Sequence, residues 1–287
     1  MDSTPLGVQY TPSNAVSTAK ALSIHDLKDH QILFVRVHWV DLANNIRYRV
    51  LPIEYFEKVM KSPRPSISFA RIALGLVFLT VAEGFSASGE FLYVPDLDTL
   101  KICPYAPGHA SVLGWFEEKF PRPDCDQAIA YRAEICPRTL LHNVLREAKS
   151  LGIEFLVGFE TEFILLKSTS PIEAVNHHGW SNSPALPTGA VETQVLEEIV
   201  LGLKASGIEV QMYHAEAAPG QYEIVTAPRT PLEAADALIH TRETIFNIAS
   251  KYKLRATLAP RVFSDSCKHT PPKARRLSLI HMRRHRR

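Results

Sequence analysis

The chain has 287 residues, 46% hydrophobic and 22% charged, a composition typical of globular proteins with room for two modest domains. The longest apolar run, from residue 73 to 82, is too short to span a bilayer, and the N-terminus lacks a signal-peptide pattern, so no membrane is expected. The four cysteines form no C-x-x-C pair, which argues against a zinc site or a disulfide framework and favours a reduced, cytoplasmic setting.

The net charge of +2 conceals an uneven distribution. Residues 268–287 contain eight Lys or Arg and no Asp or Glu, so residues 1–267 carry 24 basic against 30 acidic side chains, a net charge of −6. Such a basic tail could be a nucleic-acid arm or a localisation signal. The body is acidic and does not interleave aromatic with basic residues, so we expect no nucleic-acid partner.

The first half of the chain predicts a small domain that follows a flexible segment at 1–28. Strands are predicted at 31–40 and 46–51, joined by a turn at 43–45, and Pro52 opens a predicted helix that ends near Met60. A loop at 62–66 and a short strand at 91–94 follow. Four prolines between 104 and 123 place the domain boundary near 110–130, which gives predicted domains at 29–125 and 126–267 and a disordered basic tail at 268–287.

The second half predicts alternating helices and strands. Pro137 begins a predicted helix that Gly152 ends, and its apolar positions follow the helical period. Those positions are Leu140, Leu141, Val144, Leu145 and Ala148. Further predictions are a strand at 155–166, a helix at 191–205, a hairpin at 208–227, a helix from a capping box at 230–233 to about 252, and a strand at 254–259. The pattern predicts an α+β fold whose helices pack on one side of a largely antiparallel sheet.

Four glutamates stand in two predicted strands, where glutamate is depleted. Glu160 and Glu162 lie in GFETEF at 158–163 and share a strand face, because residues i and i+2 point the same way. The other face is formed by Phe155, Val157, Phe159, Phe163 and Leu165. Glu216 and Glu223 lie in HAEAAPGQYE at 214–223.

Pro219 and Gly220 are expected to form the turn of that second segment. If Glu216 lies opposite Gln221, then His214 lies opposite Glu223, and all four residues face one way. Carboxylates gathered on two strand faces can hold hard divalent cations through oxygen. The alternative is two solvated strand faces, since E-x-E runs also occur on half-exposed strands.

In these motifs the chain resembles the glutamine synthetase superfamily over roughly residues 30–267. GFETEF is similar to that family's first metal strand, and the 214–223 segment to its second metal motif. The helix that begins PRTLL at 137–141, the segment PDLDT at 95–99 and the helix after Thr230 fall in the family's order. The resemblance implies an N-terminal β-grasp domain, a catalytic domain with an antiparallel sheet and helices, and a homo-oligomeric ring with active sites between subunits.

The resemblance also implies a reaction and the residues that serve it. ATP phosphorylates the γ-carboxylate of glutamate, ammonia or an amine attacks the acyl phosphate, and two Mg²⁺ or Mn²⁺ ions screen the phosphate charge. By motif, Glu162, Glu216 and Glu223 would hold one metal, and Glu160 would supply part of the second site. His214 and Gln221 are predicted on the substrate and ATP side.

Asp41 matches a family aspartate that reaches into the neighbouring subunit's site. On sequence alone it is equally well explained as a residue just before a turn.

Two departures from the family shape the functional prediction. Where ammonia-using members carry D-G-S-S, this chain has RPSISFA at 64–70, which favours a larger amine as acceptor. The resemblance stops at 264–267, before the family's later histidine, arginines and last metal glutamate; His269 lies near the expected place, but its neighbours do not match. We therefore expect a catalytic domain that is truncated and inactive, with a basic tail from a shifted frame or retained intron. The alternative is a non-catalytic subunit that assembles with a full-length relative.

Overall fold

The computed structural model describes residues 22–123, 130–177, 183–260, 262 and the strand at 279–284. Residues 1–21 of the flexible segment predicted at 1–28, the exact boundary between 125 and 126, and most of the tail from 268 therefore fall outside the described residues, as do Cys125 and Cys267. The prediction of flexibility is wrong for residues 22–28, because a short helix begins at Asp26 and Leu27 is buried in the core of the first half. No helix among the residues described is long and apolar enough to cross a membrane.

The first half begins with a short helix α1 (Asp26–Asp29) and a hairpin of β1 (Phe34–Val40) and β2 (Ile46–Pro52). Val40 pairs with Ile46 and Phe34 with Pro52, and Asn44 has a positive φ of 61° in the turn, a conformation that asparagine tolerates. The predicted hairpin is thus confirmed. Helix α2 (Ile53–Met60) follows Pro52 directly, as predicted.

Two sheets share the core of the first half. The remaining strands are β3 (Ile67–Ala70), β4 (Leu76–Val77), β5 (Thr80–Val81), β6 (Glu90–Pro95), β7 (Lys101–Ile102), β8 (His109–Val112) and β9 (Gly114–Glu117). One sheet has the order β2-β1-β8-β7, with β1 and β8 parallel, and the other has the order β3-β6-β9. Aromatic rings of Trp39, Phe69, Tyr93 and Phe116 meet between the sheets. The β-grasp assignment itself stays a prediction.

In the second half, helices pack on an antiparallel sheet. Its elements are α3 (Pro137–Ser150), β10 (Ile153–Gly158), β11 (Glu160–Thr169), β12 (Ile172–Ala174), α4 (Val191–Ala205), β13 (Val210–Ala215), β14 (Gln221–Thr226), α5 (Pro231–Lys251), β15 (Arg255–Thr257) and β16 (Leu279–Arg284). The main sheet has the order β12-β11-β14-β13, with β15 beside β11. Helices α4 and α5 cover one face, where Leu196 and Ile245 pack with Phe163 and Leu165 of β11.

Three local predictions need correction. The single strand predicted at 155–166 is two strands, β10 and β11, because the strand is interrupted at Phe159. The Phe159 carbonyl accepts a hydrogen bond from the Thr226 amide of β14. The apolar stripe of α3 is only partly buried: Ala148 is buried and Leu141 and Leu145 are half-buried, but Leu140 is 62% and Val144 51% exposed. Thr230 precedes α5, but its hydroxyl donates to the Glu233 carboxylate at 2.6 Å and no side chain caps the backbone.

Part of the predicted disordered tail forms a strand. β16 lies antiparallel to β10, with Ile153 opposite Arg284 and Gly158 opposite Leu279. The prediction of disorder is therefore wrong for 279–284, because the backbone of β10 offers a free edge that this segment pairs with.

Helix α5 joins the two halves through buried polar groups. His240 Nδ1 lies 3.3 Å from Ser111 Oγ, and His38 Nε2 lies 3.6 Å from Glu243 Oε2. Arg138 of α3 donates to both carboxylate oxygens of Asp236, at 2.9 and 2.8 Å, and to Asp96 at 2.9 Å. The second half is thus fixed against the first by charges held out of water.

Candidate active site

Strand β11 carries the first glutamate pair toward β14. Glu162 lies opposite Glu223 and Glu160 opposite Val225 in the antiparallel ladder. The intervening Thr161 and the following Phe163 are each 1% exposed, whereas both glutamates are half-buried. Alternation along the strand therefore sends the two carboxylates to the face opposite Thr161 and Phe163.

The hairpin of β13 and β14 carries the second pair. His214 lies opposite Glu223, and the Glu216 amide donates to the Gln221 carbonyl at 2.8 Å, which is the predicted register. Gly220 turns the chain with φ of +69°, and a Cβ there would come within 2.7 Å of the Leu165 carbonyl oxygen. Glycine is required at this turn for both reasons.

The hairpin brings three ligand-type side chains together, and we call them the His–Glu cluster: His214, Glu216 and Glu223, with one ligand atom each within 4.8 Å of the others. His214 Nδ1 is 3.4 Å from Glu216 Oε1, and His214 Nε2 is 3.8 Å from Glu223 Oε1. Glu162 stands beside the cluster, and its Oε2 accepts a hydrogen bond of 2.8 Å from Gln221 Nε2.

This grouping differs from the one predicted from sequence. The set predicted from the sequence is Glu162, Glu216 and Glu223, with His214 on the substrate side, and it stays a prediction. In the part of the chain that the structure describes, His214 completes the close group and Glu162 is engaged by Gln221. The hairpin register brings His214, Glu216 and Glu223 together, whereas the position of Glu162 depends on the register of β11 against β14, which no local pattern encodes.

Electrostatics at the site favour a bound cation. Burial, followed by the negative charges of the neighbouring glutamates, raises the pKa of Glu223 to about 7, although His214 acts in the opposite direction. Burial and the charge of Glu216 also raise the pKa of Glu162. Among the described residues, the ion pairs of Glu216 and Glu223 are with His214 alone. The carboxylate oxygens suit Mg²⁺ or Mn²⁺, and the imidazole nitrogen of His214 favours Mn²⁺ of the two.

Asp41 is buried within its own turn. Its Oδ1 accepts from the backbone amides of Ala43 and Asn45, at 3.0 and 2.9 Å, and its Oδ2 accepts from Arg47 Nε at 2.5 Å. Burial alone would raise the pKa of Asp41, but the hydrogen bonds from Arg47 and Asn45 outweigh it and hold the pKa below its ordinary value. This geometry supports the turn explanation; a role in a neighbouring subunit stays a prediction.

A cavity of about 550 Å³ adjoins the glutamates and was not anticipated from the sequence. It lies between β11, helices α3 and α5, and the sheets of the first half, and Glu160, Glu162 and Gln221 contribute to its wall. Most of its lining is apolar, including Trp39, Leu113, Phe116, Leu141, Leu232 and Ile239. Since these residues are far apart in sequence, only the packing of the two halves reveals the cavity.

Comparison with known proteins places these features in a family. Residues 134–269 match the family described as glutamine synthetase, catalytic domain. The protein fluG of Emericella nidulans is 31% identical over 245 residues, which cover 82% of this chain and 27% of fluG. A glutamine synthetase of Methanocaldococcus jannaschii is 30% identical over 249 residues, 84% of this chain and 52% of that protein.

Solved structures agree in fold. A structure described as a GmaS/ADP complex superposes with a TM-score of 0.70 at 20% sequence identity, over 86% of this chain and 53% of that one. A glutamine synthase homologue superposes with a TM-score of 0.67 at 22% identity. The chain thus spans about half the length, or less, of the relatives it matches.

Proposed function

Since the chain belongs to the glutamine synthetase superfamily, we propose that its glutamate strands are the metal-binding half of an ATP-dependent carboxylate–amine ligase site. The observation that supports this most directly is the His–Glu cluster with Glu162 beside it, on strands within the matched catalytic domain. The substrates proposed by family are ATP, glutamate and ammonia or an amine, in a cytoplasmic homo-oligomer.

The residues of the site have separable tasks under this proposal. His214, Glu216 and Glu223 hold a divalent cation, which when bound screens the phosphate charge of ATP. Gln221 fixes the Glu162 carboxylate by its 2.8 Å hydrogen bond, so Glu162 can share that cation or meet its hydration shell. Glu160 remains proposed as part of a second cation site.

We propose further that the 287-residue chain does not catalyse the ligase reaction by itself. Its segment after residue 267 does not resemble the family's histidine and arginine segments, and each preorganised group that faces developing phosphoryl charge is typically worth about 10² to 10³ in rate. A second candidate role, the alternative predicted from the sequence, is that of a non-catalytic subunit. In that role the chain would join a full-length relative that supplies the remaining groups.

Thermal unfolding with and without Mn²⁺ tests the proposed site. Mn²⁺ at about 100 times its dissociation constant should stabilise the chain by about 2.7 kcal/mol, a shift of roughly 5–10 °C for a protein of this size. The double variant Glu216→Gln, Glu223→Gln should lose the shift. Glu197→Gln, an exposed glutamate on α4, is the matched control and should keep it. An equal shift in the double variant would refute the site.

Turnover is tested separately with ATP, glutamate and hydroxylamine. The expected result is no γ-glutamyl hydroxamate from the chain alone above a Glu162→Ala control. Product that appears only after mixing with a full-length relative would support the subunit role. Robust turnover by the chain alone would show that groups after residue 267 complete the site.

A further inference from the structure

We propose that β16, the strand formed by residues 279–284 of the basic tail, regulates the cation site: its docking on β10 and cation binding at the glutamate strands strengthen each other. This inference rests on the proposed function, because it needs a cation site. It goes beyond that function, because it makes the chain's own tail a control element for the site.

Strand β10 depends on the tail for its pairing. Within the described residues, β16 is the only strand that pairs with β10, and the pairs run along its whole length from Ile153 to Gly158. The other edge of β10 has a single bridge, in which Val157 and Arg229 exchange two backbone hydrogen bonds of 2.9 Å. Loss of β16 would therefore leave a row of β10 backbone groups without a ladder.

The register between the two strands is specific. Phe155 lies opposite Met282, an apolar pair, and the acidic Glu154 lies opposite the basic Arg283. Opposite charges directly across a strand pair are favourable. A slip by one residue in either direction would place Arg283 opposite an apolar residue, Ile153 or Phe155, so the pattern of both strands favours the observed pairing.

Strand β10 leads directly into the first glutamate strand. Phe159 is the single residue between β10 and Glu160, the first residue of β11. The Phe159 carbonyl accepts hydrogen bonds from the Thr226 amide at 2.9 Å and the Thr226 hydroxyl at 3.1 Å. Thr226 ends β14, the strand of Glu223. The backbone position of β10 therefore helps to set where Glu160 and Glu162 lie relative to Glu223.

The coupling between tail and cation must act in both directions. A cation held between β11 and β14 fixes the start of β11, and with it the end of β10 on which the tail docks. By thermodynamic linkage, a docked tail then strengthens cation binding by the same factor by which the cation strengthens docking. Couplings between two sites are typically about 5- to 150-fold, so we expect an effect of at least about fivefold.

Titration calorimetry with Mn²⁺ on the 287-residue chain tests the coupling through a variant that cannot form β16. Consecutive strand residues point their N–H groups alternately toward the partner, so Ile280→Pro with His281→Pro removes at least one ladder donor. Its Mn²⁺ dissociation constant should rise at least about fivefold. The matched control, His285→Pro with Arg286→Pro, alters the same tail outside β16 and should leave the constant unchanged. An unchanged constant in the first variant would overturn the proposal.

A charge exchange across the strand pair tests the same contact without proline. Glu154→Arg and Arg283→Glu each place like charges opposite one another, and each should weaken Mn²⁺ binding about threefold or more. The double variant restores an opposite-charge pair with reversed direction and should bind Mn²⁺ like the unaltered chain. Unaltered binding in both single variants, or a double variant as weak as the single ones, would overturn the proposal.

Hydrogen exchange of the amides at 153–158 gives the reverse direction of the coupling. Mn²⁺ should slow their exchange in the unaltered chain and should do so much less in the variant with Ile280→Pro and His281→Pro. Equal exchange with and without Mn²⁺ in the unaltered chain, while Mn²⁺ binds, would overturn the coupling and leave the cation site intact. Absence of Mn²⁺ binding to the unaltered chain would refute the proposed site and the coupling with it.

Discussion

His214 on β13 lies directly opposite Glu223 on β14, and its Nε2 atom is 3.8 Å from Glu223 Oε1. The imidazole thus stands next to a carboxyl group whose pKa burial raises to about 7. Without a cation, the site holds more negative charge than the histidine can balance. This charge repulsion in the metal-free protein has measurable consequences for stability, pH dependence and metal affinity.

Replacing Glu223 by Gln should stabilise the metal-free protein at pH 8. The folded-state pKa of about 7 exceeds the ordinary value of 4.5, so the folded state binds the proton more tightly and stability falls as the pH rises from 4.5 to 7. Above pH 7 the full cost is present, and removing it should gain roughly 2–3 kcal/mol. Urea unfolding with EDTA measures this. No gain at pH 8, or a gain equal to that at pH 4.5, would contradict it.

The two ligand sets make opposite predictions for metal affinity. If the His–Glu cluster holds the cation, His214→Ala should weaken Mn²⁺ binding more than Glu162→Gln does, because His214 is a direct ligand. Titration calorimetry of both variants gives the ranking. The reverse ranking would support the set predicted from sequence, with Glu162 as the third ligand. The Glu197→Gln variant provides the baseline.

The buried His240 should make the protein less stable in mild acid. Burial, with the charges of Lys101 and His38, lowers the pKa of His240 to about 3. A lowered histidine pKa means that the unfolded state takes up the proton first, so stability is complete above pH 6.5 and is lost as the pH falls toward 3. Between pH 7 and 5.5 this group should account for about 1 kcal/mol of the loss.

Urea unfolding of His240→Leu at both pH values checks this prediction. The variant should show a correspondingly smaller loss between pH 7 and 5.5, whatever its absolute stability. His25→Leu, at an exposed position on the first half, should show the same loss as the unaltered chain. An unchanged loss in His240→Leu would mean that other groups carry the pH dependence.

Removing Arg138 should be strongly destabilising. Its guanidinium joins Asp236 and Asp96, donates to the Gly114 carbonyl at 3.1 Å and stacks over the Trp115 ring at 4.1 Å. Arg138→Ala leaves two largely buried carboxylates unpaired, at a cost of about 3–5 kcal/mol. Lys149→Ala, exposed near the end of the same helix, should stay within about 0.5 kcal/mol. Comparable denaturation midpoints for the two variants would contradict the linking role of Arg138.

The sequence alone determined the local pieces of this protein. The β1–β2 and β13–β14 hairpins and the bounds of α3, α4 and α5 follow from turn residues, proline starts and hydrophobic period, which act over a few residues. The register of the second hairpin, with His214 opposite Glu223, was predictable because Pro219 and Gly220 fix the turn. The family motifs could be read for the same reason, since each lies within ten residues.

Only the tertiary structure decided what depends on distant partners. The break at Phe159, the exposure of Leu140, the buried contact of His240 with Ser111 and the cavity beside Glu160 all depend on packing between segments far apart in sequence. The position of Glu162 beside the His–Glu cluster belongs to the same class: Glu162 lies opposite Glu223 on strands separated by about sixty residues in sequence, and their register is set by buried side chains such as Phe163 and Tyr222. A short-range pattern specifies which residues share a face, whereas the free energy of burying whole faces decides which of those residues meet.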